Sequence, residues 1–437
     1  MKYKQLLSHL NISQLNEMQQ ASIDAINRTS DVQLISPTGS GKTLAFLLPI
    51  TDLLNAERQG VQAMIVVPSR ELAIQIEQVF KQLKTNFKVN CCYGGHNVRI
   101  EKNSLQPAPA LLIGTPGRIA YHIRNENISA QSVQTLVLDE FDKSLEFGFQ
   151  EDMAYIIGKL KGLKKRVLTS ATSLKEIPGF VGIRQAEVLD FSAHDEELKT
   201  TLKLKTVRVA GDDKLESLLI LIGKLGAQSK IVFCNHRDAV NRIHDSLKTL
   251  GVAHGIYHGG MEQIDRERAL IKFRNGSTNL LITTDLGARG LDIPEIEAVI
   301  HYQLPTTEES MIHRNGRTAR MHAEGTAYLL LDKHDYLPKY ITEEPGEEIL
   351  PDSFVSPPLV EWRTLYIAAG KKDKVNKMDI VGMLLQKGGL NKDELGKIEV
   401  LDNSAYAAVK SNKIEGLLRL IRQEKIKNKK VKFEISA

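Results

Sequence analysis

No run of this 437-residue chain is apolar for long enough to cross a membrane, and Met1 to Leu10 lack the apolar core of a signal peptide. Cysteine is scarce. Cys91, Cys92 and Cys234 have no metal-ligand spacing and offer no disulfide framework, and the adjacent Cys91 and Cys92 read as buried strand thiols. An overall excess of one charge is also missing, with 58 basic against 53 acidic residues. These absences exclude a membrane protein and a disulfide-built secreted scaffold, and the expectation is a cytoplasmic protein.

What is present is an ordinary globular composition, 42% hydrophobic and 25% charged, on a chain long enough for two or three domains. The near-balance of charge conceals an asymmetry. Residues 362–437 hold 17 Lys+Arg and 9 Asp+Glu, a net +8, whereas the preceding 361 residues hold 41 and 44, a net −3. A basic appendage on a near-neutral body points to a polyanion.

Short apolar runs alternate with helical stretches along most of the chain. Ala63 to Val67, Ala110 to Ile113, Thr135 to Leu138 and Arg166 to Thr169 read as strands buried on both faces, the pattern of a parallel α/β sheet. A polar stretch over 193–204 reads as an interdomain linker. The alternation resumes with Lys230 to Cys234, Asn279 to Thr283 and Ala298 to His301. Residues 341–361, acidic and carrying Pro345, Pro351, Pro357 and Pro358, read as a second linker. From Arg363 onward the order becomes β-α-β-β-α-β, the ferredoxin-like or RRM arrangement.

The most specific signal is Ser36-Pro37-Thr38-Gly39-Ser40-Gly41-Lys42-Thr43, between the apolar run Val32 to Ile35 and a helical stretch from Leu44. Strand, glycine loop, Lys-Thr and helix together hold a nucleoside triphosphate. Gly39 and Gly41 let successive N–H groups face the phosphates, with Thr38 and Ser40 in the same loop. Lys42 would reach the β- and γ-phosphates and the Thr43 hydroxyl would ligate Mg²⁺. Ser36 stands where the strict pattern has glycine. A second strand ends in Asp139-Glu140, placing one carboxylate for Mg²⁺ and one to orient and deprotonate water.

With these residues in place, the first 335 or so positions resemble a DEAD-box RNA helicase. Gln19 matches the glutamine that reads the adenine of ATP. Pro68 to Ala73 with Arg70, Gly94-Gly95, and Thr115 to Arg118 match motifs that grip the RNA backbone. Ser170-Ala171-Thr172 matches the motif that links hydrolysis to strand separation. Gln263 and Arg266 match a second-domain RNA contact. Thr284-Asp285 through Gly290 and Asp292 resemble the motif touching RNA and ribose. His313 to Arg320 resemble the motif whose Arg317 and Arg320 complete the ATP site, with His313 linking that site to Ser170-Ala171-Thr172. The resemblance implies two RecA-like parallel-sheet domains over 1–195 and 204–338, joined through the 341–361 linker to a small α+β RRM-like domain over 362–437. There are four departures from the family pattern. Phe141 replaces the alanine of the family's name. Asn16 and Leu15 alter the glutamine motif, whose expected aromatic finds its nearest candidate in Tyr3. Asn315 and Ala319 replace commoner residues of the arginine motif.

The C-terminal segment resembles the RNA-binding domain of DbpA-type bacterial helicases through Thr364 to Lys374, Ile380-Val381-Gly382, Gly396-Lys397-Ile398 and Lys425 to Lys430. Lys371, Lys372, Lys374 and Lys427 are the expected phosphate contacts, and Tyr366 and Tyr406 either stack bases or pack within the sheet. The resemblance implies an ATP- and Mg²⁺-dependent monomeric enzyme. It would unwind short duplexes locally while tethered to structured 23S rRNA in a pre-50S particle. A general RNA chaperone with a nonspecific basic tail and a non-hydrolysing RNA clamp remain the alternatives, with a DNA helicase a weaker third.

Overall fold

A computed structural model describes residues 3–37, 39–95, 98–172, 176–192, 202–209, 211, 213–285, 293, 296–318, 325–427 and 429–436. The chain divides into two compact units, with the boundary between residues 199 and 200. No helix among the described residues is long and apolar enough to cross a membrane.

The first unit is one sheet of seven strands. They are β1 (Asp31–Ile35), β2 (Ala63–Val66), β3 (Val89–Cys92), β4 (Leu111–Gly114), β5 (Thr135–Leu138), β6 (Lys165–Ser170) and β7 (Glu187–Asp190). Every pairing is parallel and the order is β3-β4-β2-β5-β6-β1-β7. Because β2, β4 and β5 are buried along their whole length, their sequences run apolar without alternation. Helices lie on both faces over two apolar clusters, one around Phe46, Ile65 and Phe80, the other around Met64, Leu136, Phe141 and Ile156.

The second unit opens with another sheet of the same order. It comprises β8 (Leu202–Arg208), β9 (Lys230–Cys234), β10 (Gly255–Tyr257), β11 (Leu280–Thr284), β12 (Ala298–His301), β13 (Gly325–Leu331) and β14 (Gly346–Glu347), arranged β10-β11-β9-β12-β13-β8-β14. β8 begins at Leu202, inside the stretch whose composition suggests a linker. Its Leu-Lys-Leu-Lys start alternates, with Lys203 exposed and Lys205 half-buried, and on its outer side β8 pairs only with the two-residue β14. β14 comes from the acidic, proline-containing segment, which is strapped along this domain. Glu348 pairs with Lys205 at 2.5 Å and also with Lys224, whose Nζ donates to the Ile349 carbonyl at 2.6 Å. Gly223 has no room for a Cβ, which would lie 2.2 Å from the Val355 carbonyl oxygen.

The same unit ends in an antiparallel sheet of β15 (Trp362–Ile367), β16 (Leu395–Val400), β17 (Ala405–Lys410) and, after the short hairpin β18 (Lys425–Ile426) and β19 (Lys429–Lys430), β20 (Phe433–Ile435). Its order, β16-β17-β15-β20, is that of an RRM-like fold. Leu365, Ile367, Ala405, Ala407 and Val409 face the helices Lys377–Gln386 and Ile414–Ile421 and form the core. The alternation sends Thr364, Tyr366 and Tyr406 to the opposite face.

Candidate functional site

In a parallel sheet the carboxyl ends of all strands share one edge, and that edge of the first unit collects the predicted residues. The β1 end turns through Ser36 and Pro37 into the helix Lys42–Leu53. Gly39 and Gly41 hold φ of 88° and 91°, the left-handed region that favours glycine. A Cβ at Gly41 would sit 2.4 Å from Gln19 Nε2, so the turn also needs a bare backbone for space. Lys42 Nζ donates to the Pro37 carbonyl at 2.8 Å and to the Ser36 carbonyl. The Ser36 hydroxyl donates to the Ser40 hydroxyl at 2.7 Å, a bond that glycine at position 36 could not make. Thr38 lies outside the described residues.

Gln19 stands in the first turn of the helix Glu17–Arg28. There Asn16 and Gln19 form a reciprocal capping box, at 2.8 and 3.1 Å. The same two side chains reach the turn: Gln19 Nε2 donates to the Gly41 carbonyl at 3.2 Å and Asn16 Nδ2 to the Ser40 carbonyl at 3.0 Å. Asn16 is thus a working cap and a brace for the loop. Tyr3 is elsewhere. It is buried in the first core cluster, with its hydroxyl bonded to Asp52 in the last turn of the helix Lys42–Leu53. That places it about 15 Å along the helix from Lys42, out of reach of a base beside Gln19.

β5 delivers Asp139, 3% exposed, between β2 and β6. Its Oδ1 accepts from the Thr169 hydroxyl and, at 3.1 Å, from the Glu140 N–H. Burial raises the Asp139 pKa above its ordinary value, against the hydrogen bond from Thr169 and the attraction of Lys42. Glu140 is held at φ 46°, a left-handed conformation uncommon for a side-chain-bearing residue, with its N–H also 3.2 Å from Thr169 Oγ1. Phe141 turns the other way and is fully buried in the second core cluster, with Leu138 and Ile156. The substitution therefore fills core space behind the strand and does not crowd the carboxylates. Ser170, at the end of β6, donates to the Thr172 carbonyl at 2.6 Å. The oxygen donors of Thr43 and Asp139, beside glycines with no space for a Cβ at Gly41, suit Mg²⁺ and a polyphosphate.

The predicted backbone grips occupy the β2, β3 and β4 ends of the same edge. Arg70, at the start of a helix capped by Ser69, lies over the Tyr93 ring at 4.5 Å and donates to the Gly94 carbonyl at 3.4 Å. Gly95 has φ 82°. Thr115 precedes the helix Pro116–Arg124 at its N-cap position, and Arg118 Nε donates to the Tyr93 carbonyl at 3.1 Å. Beneath them Glu101, 1% exposed, meets Arg118 Nε at 3.3 Å, His122 Nε2 at 2.9 Å and the Tyr93 N–H at 3.2 Å. Sequence reading does not single out Glu101 or His122. The spacing that could have exposed them, six residues beyond Gly95 and four beyond Arg118, carries no motif of its own. Of the cysteines on this side, Cys92 is buried and Cys91 half-buried, and burial raises both thiols.

In the second unit Gln263 and Arg266 occupy the first turn of the helix Gln263–Arg274, and Arg266 lies 6.0 Å from the Tyr257 ring. Thr284 ends β11. His313 is on the helix Glu308–Asn315, 3.9 Å from Glu309, and Arg317 follows that helix, its carbonyl bonded to the Ile296 N–H. Gly290, Asp292 and Arg320 lie outside the described residues. A bidentate ion pair here joins two residues left out of the predicted site. Arg314, 1% exposed, holds Asp285 through Nε at 2.5 Å and Nη2 at 2.7 Å, and also reaches Asn235 Oδ1 and the Gln303 carbonyl at 2.7 Å. This bidentate pair, with its guanidinium buried and its carboxylate half-exposed, ties the end of β11 to the helix bearing His313.

In the C-terminal domain Lys371 and Lys372 belong to a single 3-10 turn and Lys374 follows at φ 62°. Lys427 is already engaged, with Nζ 3.0 Å from Asp379 Oδ2 and donating to the Lys374 carbonyl at 2.6 Å. Lys429 pairs with Asp373, and this bond holds the Asp373 carboxyl below its ordinary pKa.

Comparison with known proteins gives the family. The DEAD/DEAH box helicase family matches residues 16–177, the helicase conserved C-terminal domain residues 213–322, and the DbpA RNA binding domain residues 364–435. The chain is 30% identical over 434 residues to the ATP-dependent RNA helicase DbpA of Escherichia coli (strain K12), covering 97% of this chain and 94% of that one. The DbpA of Bacillus subtilis (strain 168) is 29% identical over 461 residues, covering 98% and 95%. Among solved structures, S. cerevisiae Dbp5 bound to RNA and ADP BeF3 is similar with a TM-score of 0.69 at 26% identity, covering 79% of this chain and 93% of that one.

Proposed function

The chain belongs to the DEAD-box ATP-dependent RNA helicases of the DbpA type, and from that premise we propose that it separates short RNA duplexes locally while its C-terminal domain holds structured 23S rRNA in a pre-50S particle. The observation that carries the reading is the shared strand edge of the first unit. It presents the Gly39–Lys42 turn and Asp139-Glu140 on one side and Arg70, Gly95, Thr115 and Arg118 on the other.

In this reading Lys42 and the loop N–H groups bind the phosphates of ATP, and Gln19 faces the adenine. Thr43 and Asp139 hold Mg²⁺, which when bound neutralises phosphate charge. Glu140 orients the attacking water and takes its proton, and the strained backbone fixes where its carboxylate starts. Arg317 and Arg320 offset charge on the transferred phosphoryl group, and Asp292 binds the ribose. His313 relays the state of the site to Ser170-Ala171-Thr172. Arg70, Gly95, Thr115, Arg118, Gln263, Arg266, Thr284 and Gly290 grip RNA phosphates and sugars, which makes binding tolerant of sequence. Lys371, Lys372 and Lys374 supply the exposed cations of the tether, and Lys427 does so by exchanging Asp379 for phosphate. The protein works as a cytoplasmic monomer. The inward packing of Phe141 disfavours a spoiled, non-hydrolysing site.

The test is the ATPase rate of the full chain with a 23S rRNA peptidyl-transferase-region fragment and with unrelated RNA of equal length, with and without Lys371→Glu/Lys372→Glu. Stimulation by the fragment that exceeds unrelated RNA and falls in the variant supports the tether. Equal stimulation by both RNAs makes the tail a nonspecific anchor, and no stimulation by either makes the protein a passive clamp.

A further inference from the structure

An RRM-like sheet ordinarily offers its open face to bases, with aromatics as stacking platforms. Here that face is closed by the chain itself. Thr364 is 2% and Tyr406 1% exposed, and neither is covered by the small domain's own helices, which pack on the other side. Their cover is the last turn of the helix Gln263–Arg274 and the residues after it. Asn275 Nδ2 donates to Thr364 Oγ1 at 2.9 Å, and Thr364 Oγ1 donates to Ser277 Oγ at 2.8 Å. Arg274 grips Glu399 of β16 through Nε at 3.1 Å and Nη2 at 2.7 Å, and the Arg268 guanidinium lies near the Tyr406 hydroxyl. Gly276, at φ 78°, lets Trp362 lie flush, since a Cβ there would come 3.3 Å from Trp362 Cδ1. Asn275 and Ser277 are themselves buried, so the contact is dry and polar.

The helix that makes this contact also carries Gln263 and Arg266 in its first turn, about 16 Å and about 12 Å along the axis from Arg274. We propose that the β-sheet face of the C-terminal domain is a docking surface for this helix, latched by Arg274–Glu399 and Asn275–Thr364–Ser277. The latch sets a fixed distance between RNA held by the small domain and the duplex the helicase core acts on. Arg274 and Glu399 are positioning residues, not RNA contacts, and Tyr406 belongs to the latch and not to a base platform. The strap through Glu347 and Glu348 supplies a second point of attachment, so one broken contact frees the sheet face without releasing the chain. The inference rests on the tether reading above.

Trp362 is the only tryptophan of the chain and lies at the contact, so its fluorescence reports docking in the unlabelled full-length protein. The experiment pairs acrylamide quenching of Trp362 with unwinding of a short duplex placed at graded distances from a 23S rRNA hairpin. The variants are Arg274→Glu, Glu399→Arg and the double swap. The wild-type protein is expected to show shielded fluorescence and unwinding sharply peaked at one spacing. Each single variant should expose Trp362 and flatten the profile, losing roughly tenfold at the peak as effective concentration falls. ATPase at saturating unanchored RNA should stay unchanged, and the double swap should restore both shielding and peak. A flat wild-type profile, or single variants with wild-type quenching and profile, overturns the latch while leaving the tether standing. A hairpin that accelerates unwinding at no spacing instead overturns the tether and the distance-setting role with it, whatever Trp362 reports.

Discussion

His301 Nε2 donates to Asn315 Oδ1 across 2.9 Å at the fully buried end of β12. Asn315 is one of the departures within the arginine motif, and His301 accounts for it: a buried imidazole N–H needs an acceptor that an apolar residue cannot supply. Burial and the nearby Arg314 lower the His301 pKa to about 3, so the ring is neutral throughout the working range and the bond does not switch with pH. Asn315→Leu should strand that N–H and cost about 1–3 kcal/mol. His301→Phe combined with Asn315→Leu should recover most of the loss, read from urea midpoints at unchanged slope.

Asp139 gives a pH signature. Its raised pKa means that the buried charge costs stability at neutral pH, a cost relieved as pH falls through the folded value toward the ordinary 3.8. Mg²⁺-dependent ATP binding needs the carboxylate and should therefore weaken over the same window. Thr169→Val removes a bond to the charged form, so the acid limb of ATP binding should move to higher pH. A titration by fluorescent nucleotide checks this, and a limb moving to lower pH would reverse the assignment.

Phe141→Ala should separate packing from chemistry. Emptying a fully buried site in the second core cluster should cost about 3–5 kcal/mol. At a temperature where the variant stays folded, ATP affinity should remain close to wild type. Thermal melts with nucleotide titrations on the same sample provide both numbers.

Lys230 begins β9 with its ammonium buried against the Gly226 carbonyl at 2.8 Å, and burial lowers its pKa from 10.5 to about 8. The unfolded chain holds that proton up to higher pH, so stability increases as pH rises from about 8 toward 10.5. Lys230→Met should stabilise the protein by on the order of 1–2 kcal/mol at pH 7, with the gain shrinking over that interval. Melting temperatures at pH 7 and pH 10 test both the sign and the trend.

Much of this was legible in sequence because it is local. Strands β9 and β12 coincide with apolar runs at Lys230–Cys234 and Ala298–His301, Lys42 is marked by the glycine turn between β1 and its helix, and Asp139 by the strand β5 that it follows. Less visible were the strands exposed on one side, such as β7, where Glu187-Val188-Leu189-Asp190 mixes charge with apolar residues. Long-range partners were hidden altogether. Nothing in the sequence pairs Arg314 with Asp285, Glu101 with His122, or Arg274 with Glu399 across 125 positions, because those contacts depend on how sheets and helices pack. Tyr3 shows the converse: an aromatic near a motif proved to belong to the core.

The central claim is that the Asp139-Glu140 edge drives RNA strand separation with ATP. The direct measurement is unwinding of a short RNA duplex joined to a 23S rRNA hairpin, by wild type and Glu140→Gln, with and without ATP. Wild type should release the strand only with ATP, while Glu140→Gln should bind ATP yet lose steady-state turnover by roughly 10²–10⁴. Wild-type release that is indifferent to ATP, or Glu140→Gln turning over at the wild-type rate, would contradict the account.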